Sequence, residues 1–444
     1  MSGKTNILLR GHGRLHADIK KYLADNIEVK VWMDKGKYAK RTGADLTHDL
    51  NAFYRRLQIH KKTGALSVDY QYRREFLSIS EKLAPHIPTF LYIYSRKPVL
   101  NGENNFMDMM DAFHIYVHFF IDLLKSNSID YIFFSTIPHH ADYILYLVAK
   151  ELNIKTVAFL QSQEPGKAFM VSETGDLGAL SENAESIRPT PLQRNERKSH
   201  WYMQHIPRQR LYTKIISALL FRMDSDLFFH RLSTLRKARQ FKRDYKRLTA
   251  TQLPTNPFVY FPLHLQPELT TMSLGGQFVD QMLAIEHLRA LLPDDWAIVV
   301  KENPKQTAYA RGALFFARLA KIPNLSYVGK TFDTYDLIEK SQFCATVTGT
   351  AGFEALTFGK HVLVFGQAIY KNFPGVVQYR NGLTHEDIMS ATFSHAEVEL
   401  AYAKLARTMV DLVVDADTIH QVNEFSAEEN TRALANIINQ TVRV

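Results

Sequence analysis

Val347-Thr348-Gly349-Thr350-Ala351-Gly352-Phe353-Glu354-Ala355-Leu356, closed by Phe358-Gly359-Lys360-His361-Val362-Leu363-Val364, decides how this chain is read. The stretch has the pattern of a buried strand, a glycine-bearing turn, a short helix, a tight exit turn and a second apolar strand. Gly349 and Gly352 allow backbone to approach a ligand closely. The helix start beyond them offers unpaired N–H groups and a positive dipole end. That combination suits an anion such as a nucleotide phosphate. It is neither a Walker loop, since no Lys-Ser/Thr follows the second glycine, nor G-x-G-x-x-G. A plain strand-to-helix turn satisfies the same pattern.

Working outward, the second half alternates strand and helix. Strands are expected at 258–261, 296–300 and 325–328, and helices at 278–292, 309–320 and 335–340. The first half opens with a strand at 6–9, a Gly11-His12-Gly13 turn, a helix over 15–23 and a strand at 29–32. Residues 36–115 are less regular, and Phe90–Tyr94 reads equally as a strand or a buried helix turn. Strand 131–134, helix 141–152 and strand 156–160 follow, with connections short enough to imply a parallel pair and a right-handed crossover. The tail is helical by period over 395–414 and 427–440. At 444 residues the chain exceeds one ordinary core.

These patterns predict an α/β protein of two Rossmann-like, doubly wound domains facing a central cleft. The expected boundaries are 1–210, a helical basic linker over 211–250, and 251–444 including the helical tail. Ligands in such sheets bind at the carboxyl ends of the strands.

Composition narrows the classes. One cysteine, Cys344, sits in an apolar run, which excludes a disulfide framework and favours a reducing compartment. The first residues lack a signal-peptide core, and no window approaches about 18 uninterrupted apolar residues. A cytoplasmic location follows as an expectation. The net charge of +9 gathers at Arg231, Arg236, Lys237, Arg239, Lys242, Arg243, Lys246 and Arg247. Upstream, Ile215, Ile216, Leu219, Leu220, Phe221, Met223, Leu227 and Phe228 form a helical apolar stripe. Together they suit peripheral contact with the inner face of a membrane, and equally an inter-domain helix with a solvated basic face. No nucleic-acid-binding module accompanies the charge.

Three loops are expected on one sheet edge: Pro262–Thr271, Lys301–Lys305 and Thr348–Glu354. Their nucleotide-binding candidates are His264, Gln266, Lys301, Asn303, Pro304, Gly349, Thr350, Ala351, Gly352 and Glu354. Lys301 and Lys305 can neutralise a diphosphate, Thr350 and the N–H groups after it can cradle oxygens, and Glu354 can accept from ribose hydroxyls. Alone, each fits an ordinary strand end or surface helix; their convergence is the signal.

The order "PLHLQPE-TT…GG-FVDQ", "VVKENP", "TGTAGFEALTFGKHVLVFG" resembles the capsular-polysaccharide biosynthesis glycosyltransferases over about residues 257–375. The resemblance implies a bacterial enzyme of the two-Rossmann (GT-B) architecture, some members of which transfer Kdo from a CMP-linked donor. It implies a nucleotide-sugar donor, CMP- or UDP-linked, a glycan or glycolipid acceptor, and no nucleic-acid partner. Family members usually carry Lys-Glu-His-Pro where this chain has Lys301-Glu302-Asn303-Pro304. Asn303 donates a hydrogen bond but carries no charge. Thr350 best matches the hydroxyl position of the family's later phosphate motif.

An inverting transfer needs a base for the acceptor hydroxyl. Strand-end loops of the first half offer His12, His139, His140 and Glu164, and Glu268 faces the expected gap. Glu164, His139 and Glu268 are the catalytic candidates. No metal constellation and no cofactor are expected. Two other readings stay open: polyol-phosphate transfer from a CDP-linked donor, as in teichoic-acid-type polymerases, and a non-catalytic binding partner in capsule assembly.

Overall fold

A computed structural model describes residues 4–34, 38, 42, 46–49, 74–94, 106–138, 141–162, 164–181, 188–189, 191–192, 225–266, 274–306 and 311–443. The chain forms two compact units, residues 1–181 with 405–444, and residues 182–404.

In the first unit, β1 (Thr5–Arg10), β2 (Ile27–Asp34) and β3 (Leu46–Asp49) precede α1 (Arg74–Leu83), α2 (Ile87–Tyr94) and α3 (Phe106–Ser126). Then come β4 (Tyr131–Phe134), α4 (Ala141–Glu151), β5 (Lys155–Gln161) and β6 (Lys167–Val171). Five parallel strands run in the order β3-β2-β1-β4-β5, with β6 antiparallel beside β5. Ile7, Leu8 and Leu9 are all buried, as the unbroken apolar run of a strand covered on both faces requires. The helix expected over 15–23 is instead two separate 3-10 turns, His12–Arg14 and Ile19–Tyr22. His12 and His16 both turn into the core here, and side chains of the C-terminal tail take up the segment's backbone groups. Phe90–Tyr94 lies in a helix, α2.

The second unit begins with α5 (Ser225–Leu248) and β7 (Thr249–Ala250). It continues through β8 (Phe258–Pro262), α6 (Gln281–Leu291), β9 (Ala297–Lys301), α7 (Ala313–Leu319), β10 (Leu325–Val328) and α8 (Thr334–Lys340). It ends with β11 (Cys344–Thr346), α9 (Thr350–Thr357), β12 (Val362–Val364), β13 (Val376–Gln378), α10 (His385–Met389) and α11 (His395–Ala406). All seven strands are parallel, in the order β13-β12-β11-β8-β9-β10-β7. Setting the short edge strand β7 aside, this is the doubly wound order, and it reverses direction between β8 and β11.

Two expected boundaries change. The segment 211–250 was read as a linker, but α5 packs Phe241, Tyr245 and Leu248 against the core of the second unit, and β7 extends its sheet. Of the apolar stripe upstream, Ile215 to Met223 lie outside the described residues. The tail was placed with the second domain. Instead, β14 (Met409–Asp411) pairs antiparallel with β6, and α12 (Ala427–Arg443) sends Leu434, Ala435 and Ile438 into the first core with Ile7, Leu9 and Trp32. Helical period reports an apolar stripe; it does not report which core that stripe covers. Among the described residues, no helix is long and apolar enough to cross a membrane.

Candidate functional site

The carboxyl edge of the second sheet is built around the point where strand order reverses. β8 delivers Leu263 and His264 to this edge, and β11 delivers Thr346, Val347 and Thr348. Thr348 N donates to His264 Nε2 at 3.3 Å, so that nitrogen is an acceptor and the ring proton sits on Nδ1. Thr346 Oγ1 lies 3.1 Å from the same nitrogen and accepts from Gly349 N at 3.1 Å, so its hydroxyl proton points to the ring. One histidine thereby ties the two strand ends together.

This packing explains the glycines, and it corrects the reason given for them. Gly349 has ordinary extended dihedrals, φ −77 and ψ 152, so no backbone strain demands glycine. A Cβ there would lie 2.9 Å from Thr346 Oγ1 and 3.1 Å from the His264 ring. A Cβ at Gly352 would lie 2.3 Å from the Tyr370 hydroxyl, which donates to Gly349 O. The glycines make room for His264, Thr346 and Tyr370. Gly352→Ala is therefore expected to cost about 1–3 kcal/mol by overpacking. Adding Tyr370→Phe should recover part of that loss, because the nearest clash is with the hydroxyl. Urea midpoints of the two single variants and the double variant check this, and additive losses would refute it.

Beyond the turn, α9 starts from Gly349, which brings no capping side chain of its own, and its first turn holds no acidic residue. Thr350 is half-buried and Ala351 buried there, and Glu354 is half-buried one turn in. Lys301, at the end of β9, is buried, and its Nζ donates to Thr334 Oγ1 at 2.7 Å. Burial holds its pKa below the ordinary lysine value, against the opposing pull of Asp333 and Glu354. Asn303 Oδ1 accepts from Lys305 N at 3.0 Å, fixing the loop after β9, and Pro304 O accepts from Lys330 Nζ at 2.8 Å.

Beneath these loops lies a buried polar network that sequence reading missed. Glu302 and Arg311 are almost fully buried, with Arg311 Nε donating to Glu302 Oε2 at 3.0 Å. Tyr327 Oη donates to the same oxygen at 2.8 Å, and Asn303 N donates to Glu302 Oε1 at 2.7 Å. Arg311 also reaches His264 O at 3.1 Å and the Gln266 carboxamide oxygen. Gln266 gives its Nε2 to Val279 O at 2.6 Å and exchanges backbone bonds with the Gln306 side chain. Gln281 Oε1 accepts from His264 N at 2.8 Å. These bonds make Gln266 a brace of the loop on which it is expected as a nucleotide contact. The only sequence signal for Arg311 was a charge just ahead of an apolar helix, which is indistinguishable from a surface residue.

In the first unit, Glu164 stands in the turn between β5 and β6, its backbone N donating to Ser162 Oγ at 3.0 Å. The turn closes an antiparallel hairpin, which sequence reading did not expect, at the carboxyl end of β5. His139, His140 and Glu268 lie outside the described residues. His12 is fully buried between His16 and Phe159, with ring centroids 5.4 and 6.0 Å away, and does not line an open edge. Among the described residues, no three His, Cys, Asp or Glu side chains gather as metal ligands.

Residues 193–413 match a family model described as "Capsule polysaccharide biosynthesis protein". No curated protein sequence matches the chain. Among solved structures, it is similar to the beta Kdo 2,7 transferase of KpsC from Thermosulfurimonas dismutans, at 14% identity and a TM-score of 0.33, over 78% of this chain and 96% of that one. The beta Kdo 2,4 transferase of the same protein is 13% identical with a TM-score of 0.31, over 64% and 85%. UDP-GlcNAc 2-epimerase from Neisseria meningitidis, bound to UDP-GlcNAc, is 12% identical with a TM-score of 0.23, over 99% of each chain. These three are distant likenesses and assign no chemistry. The match to the capsule polysaccharide biosynthesis protein family spans residues 193–413, which hold every strand of the second sheet.

Proposed function

We propose that this chain transfers a sugar from a nucleotide-linked donor to a bacterial surface glycan, holding the nucleotide end of the donor at the carboxyl edge of the second sheet. The observation that carries this reading is the start of α9 at the strand-order reversal, which begins at Gly349 with no acidic residue in its first turn and is braced by His264 and Thr346 on one side and Tyr370 on the other. Lys301 lies within electrostatic reach of Glu354 on the same helix. In this reading the N–H groups of Thr350 and Ala351 receive phosphate oxygens, and Lys301 and Asn303 offset the charge that develops on the leaving phosphate. Glu354 accepts from ribose hydroxyls, and Pro304, Gly349 and Gly352 keep the walls of the site in place.

The acceptor oxygen attacks the anomeric carbon as the bond to phosphate breaks, and its proton passes to a base. Glu164, His139 and Glu268 are the candidates for that base. A CMP-linked acid sugar is the first choice of donor and a UDP-linked sugar the second.

A thermal-shift series with CMP-, CDP-, UDP- and GDP-linked sugars tests the reading, since a ligand bound to the folded state alone raises its stability by about 2.7 kcal/mol at 100 times Kd. A rise with CMP- or UDP-sugars is expected. Lys301→Met should weaken that ligand by roughly tenfold or more while leaving the unliganded melt near wild type. No shift with any nucleotide would sink the proposal, and a phosphodiester product would replace glycosyl transfer with polyol-phosphate transfer.

A further inference from the structure

The outward face of α5 has no role in the fold or in the donor site. Phe241, Tyr245 and Leu248 point to the core of the second unit, and Asp244 on the flank of that side is buried and pairs with Arg247 Nη2 at 3.3 Å. The opposite side carries Arg236, Arg239, Lys242, Arg243, Lys246 and Arg247, all exposed. At 3.6 residues per turn these six cations fall within roughly 140° of arc, along about 17 Å of helix. Between Leu235 and Leu248 the chain has no acidic residue other than Asp244, so α5 itself places no carboxylate within the arc.

Mutual repulsion makes such a stripe unfavourable for the isolated protein. Its geometry therefore points to a partner that supplies the missing anions. Two properties of the stripe select the class. The apolar side of α5 is committed to the core, and among the described side chains of α5 Leu235 is the one large apolar group exposed on the basic side for insertion among lipid chains. Four of the six cations are arginines, whose planar forks fit carboxylates in two-point contact, and they recur about every turn in a line.

We propose that the α5 stripe is a docking track for a linear carboxylated glycan, holding the growing polymer against the second unit. The inference rests on the reading above only in taking a glycan as the polymer handled. Binding is electrostatic, salt-dependent and independent of the nucleotide site.

The test uses the full chain, a labelled oligogalacturonate as a carboxylated probe, dextran as a neutral one, and vesicles with and without phosphatidylglycerol. The oligogalacturonate is expected to bind at low salt and the dextran not to bind. Replacing Arg239, Lys242, Arg243 and Lys246 by glutamine should weaken that binding roughly tenfold at 0.1 M salt, since each exposed pair contributes only a few tenths of a kcal/mol. All four are exposed and crowd like charges, so the melt of this variant should match or exceed wild type, and Arg243→Gln alone should give a smaller loss of binding in the same direction. Its nucleotide-induced thermal shift should be unchanged, which separates this inference from the donor-site reading. Oligogalacturonate affinity unaltered by the substitutions would overturn the proposal. So would binding confined to phosphatidylglycerol vesicles, which would make the stripe a membrane contact.

Discussion

Arg311→Met is expected to destabilise the second unit by about 3–5 kcal/mol, the cost of leaving a buried charge without its partner. The side chain is almost fully buried and donates to Glu302, Gln266 and the His264 carbonyl. Methionine fills most of the volume but returns none of those bonds. Glu302 would keep Tyr327 and Asn303 N as donors, so its carboxylate would be partly satisfied but no longer neutralised. The double variant Glu302→Leu/Arg311→Met removes both charges and should recover much of the loss. Urea midpoints of the three proteins decide the matter. A single variant as stable as wild type would show that the pair is not buried as described. The same substitution should also weaken nucleotide binding, because the network holds the loops after β8 and β9 in register with each other.

Acid is expected to destabilise the first unit, through His12 and His16. Burial pushes the pKa of His16 down to about 4, and that of His12 well below its ordinary value, with His16 and Arg10 adding to the fall. His16 Nε2 must stay unprotonated, because it accepts from Asn430 Nδ2 at 2.8 Å. Between about pH 6.5 and 4 the unfolded chain binds a proton at this position that the folded chain refuses. Stability therefore rises with pH across that window, is complete above it, and is lost as pH falls. His16 alone accounts for about 2–3 kcal/mol by pH 4.5, and His12 acts in the same direction. His16→Gln keeps an acceptor near Asn430 and removes the titration. Its urea midpoint should fall less than that of wild type between pH 7 and 4.5, and parallel falls would show that His16 does not titrate with unfolding. The contact joins the turn after β1 to α12, so acid should first loosen the tail, which limited proteolysis of residues 405–444 can report.

Much of the second unit was legible because its signals are local. The strands at 258–262, 297–301 and 325–328 are short apolar runs bounded by turn residues, and a doubly wound order follows from their alternation with helices. The edge loops holding His264, Lys301 and Gly349 followed from the same alternation, since every parallel strand ends on one edge. The glycines at 349 and 352 were equally visible, but their reason was not. Only packing reveals that a Cβ would strike His264, Thr346 or Tyr370, residues separated from these glycines by up to 85 positions in the chain.

What the sequence by itself determined is the class of fold, the alternating strands and helices between residues 258 and 364, the three loops that share an edge, and the resemblance carried by residues 257–375. These depend on period, turn chemistry and short motifs, which are properties of neighbouring residues. The tertiary structure decided that the tail closes the first sheet, that α5 belongs to the second core, and that Gln266 braces a loop. It also decided that Glu302 and Arg311 meet in the interior, where a surface pair was the ordinary expectation. Each of those depends on which distant surfaces meet. Burial and electrostatic pairing are set by that meeting, and no local pattern in the chain encodes it.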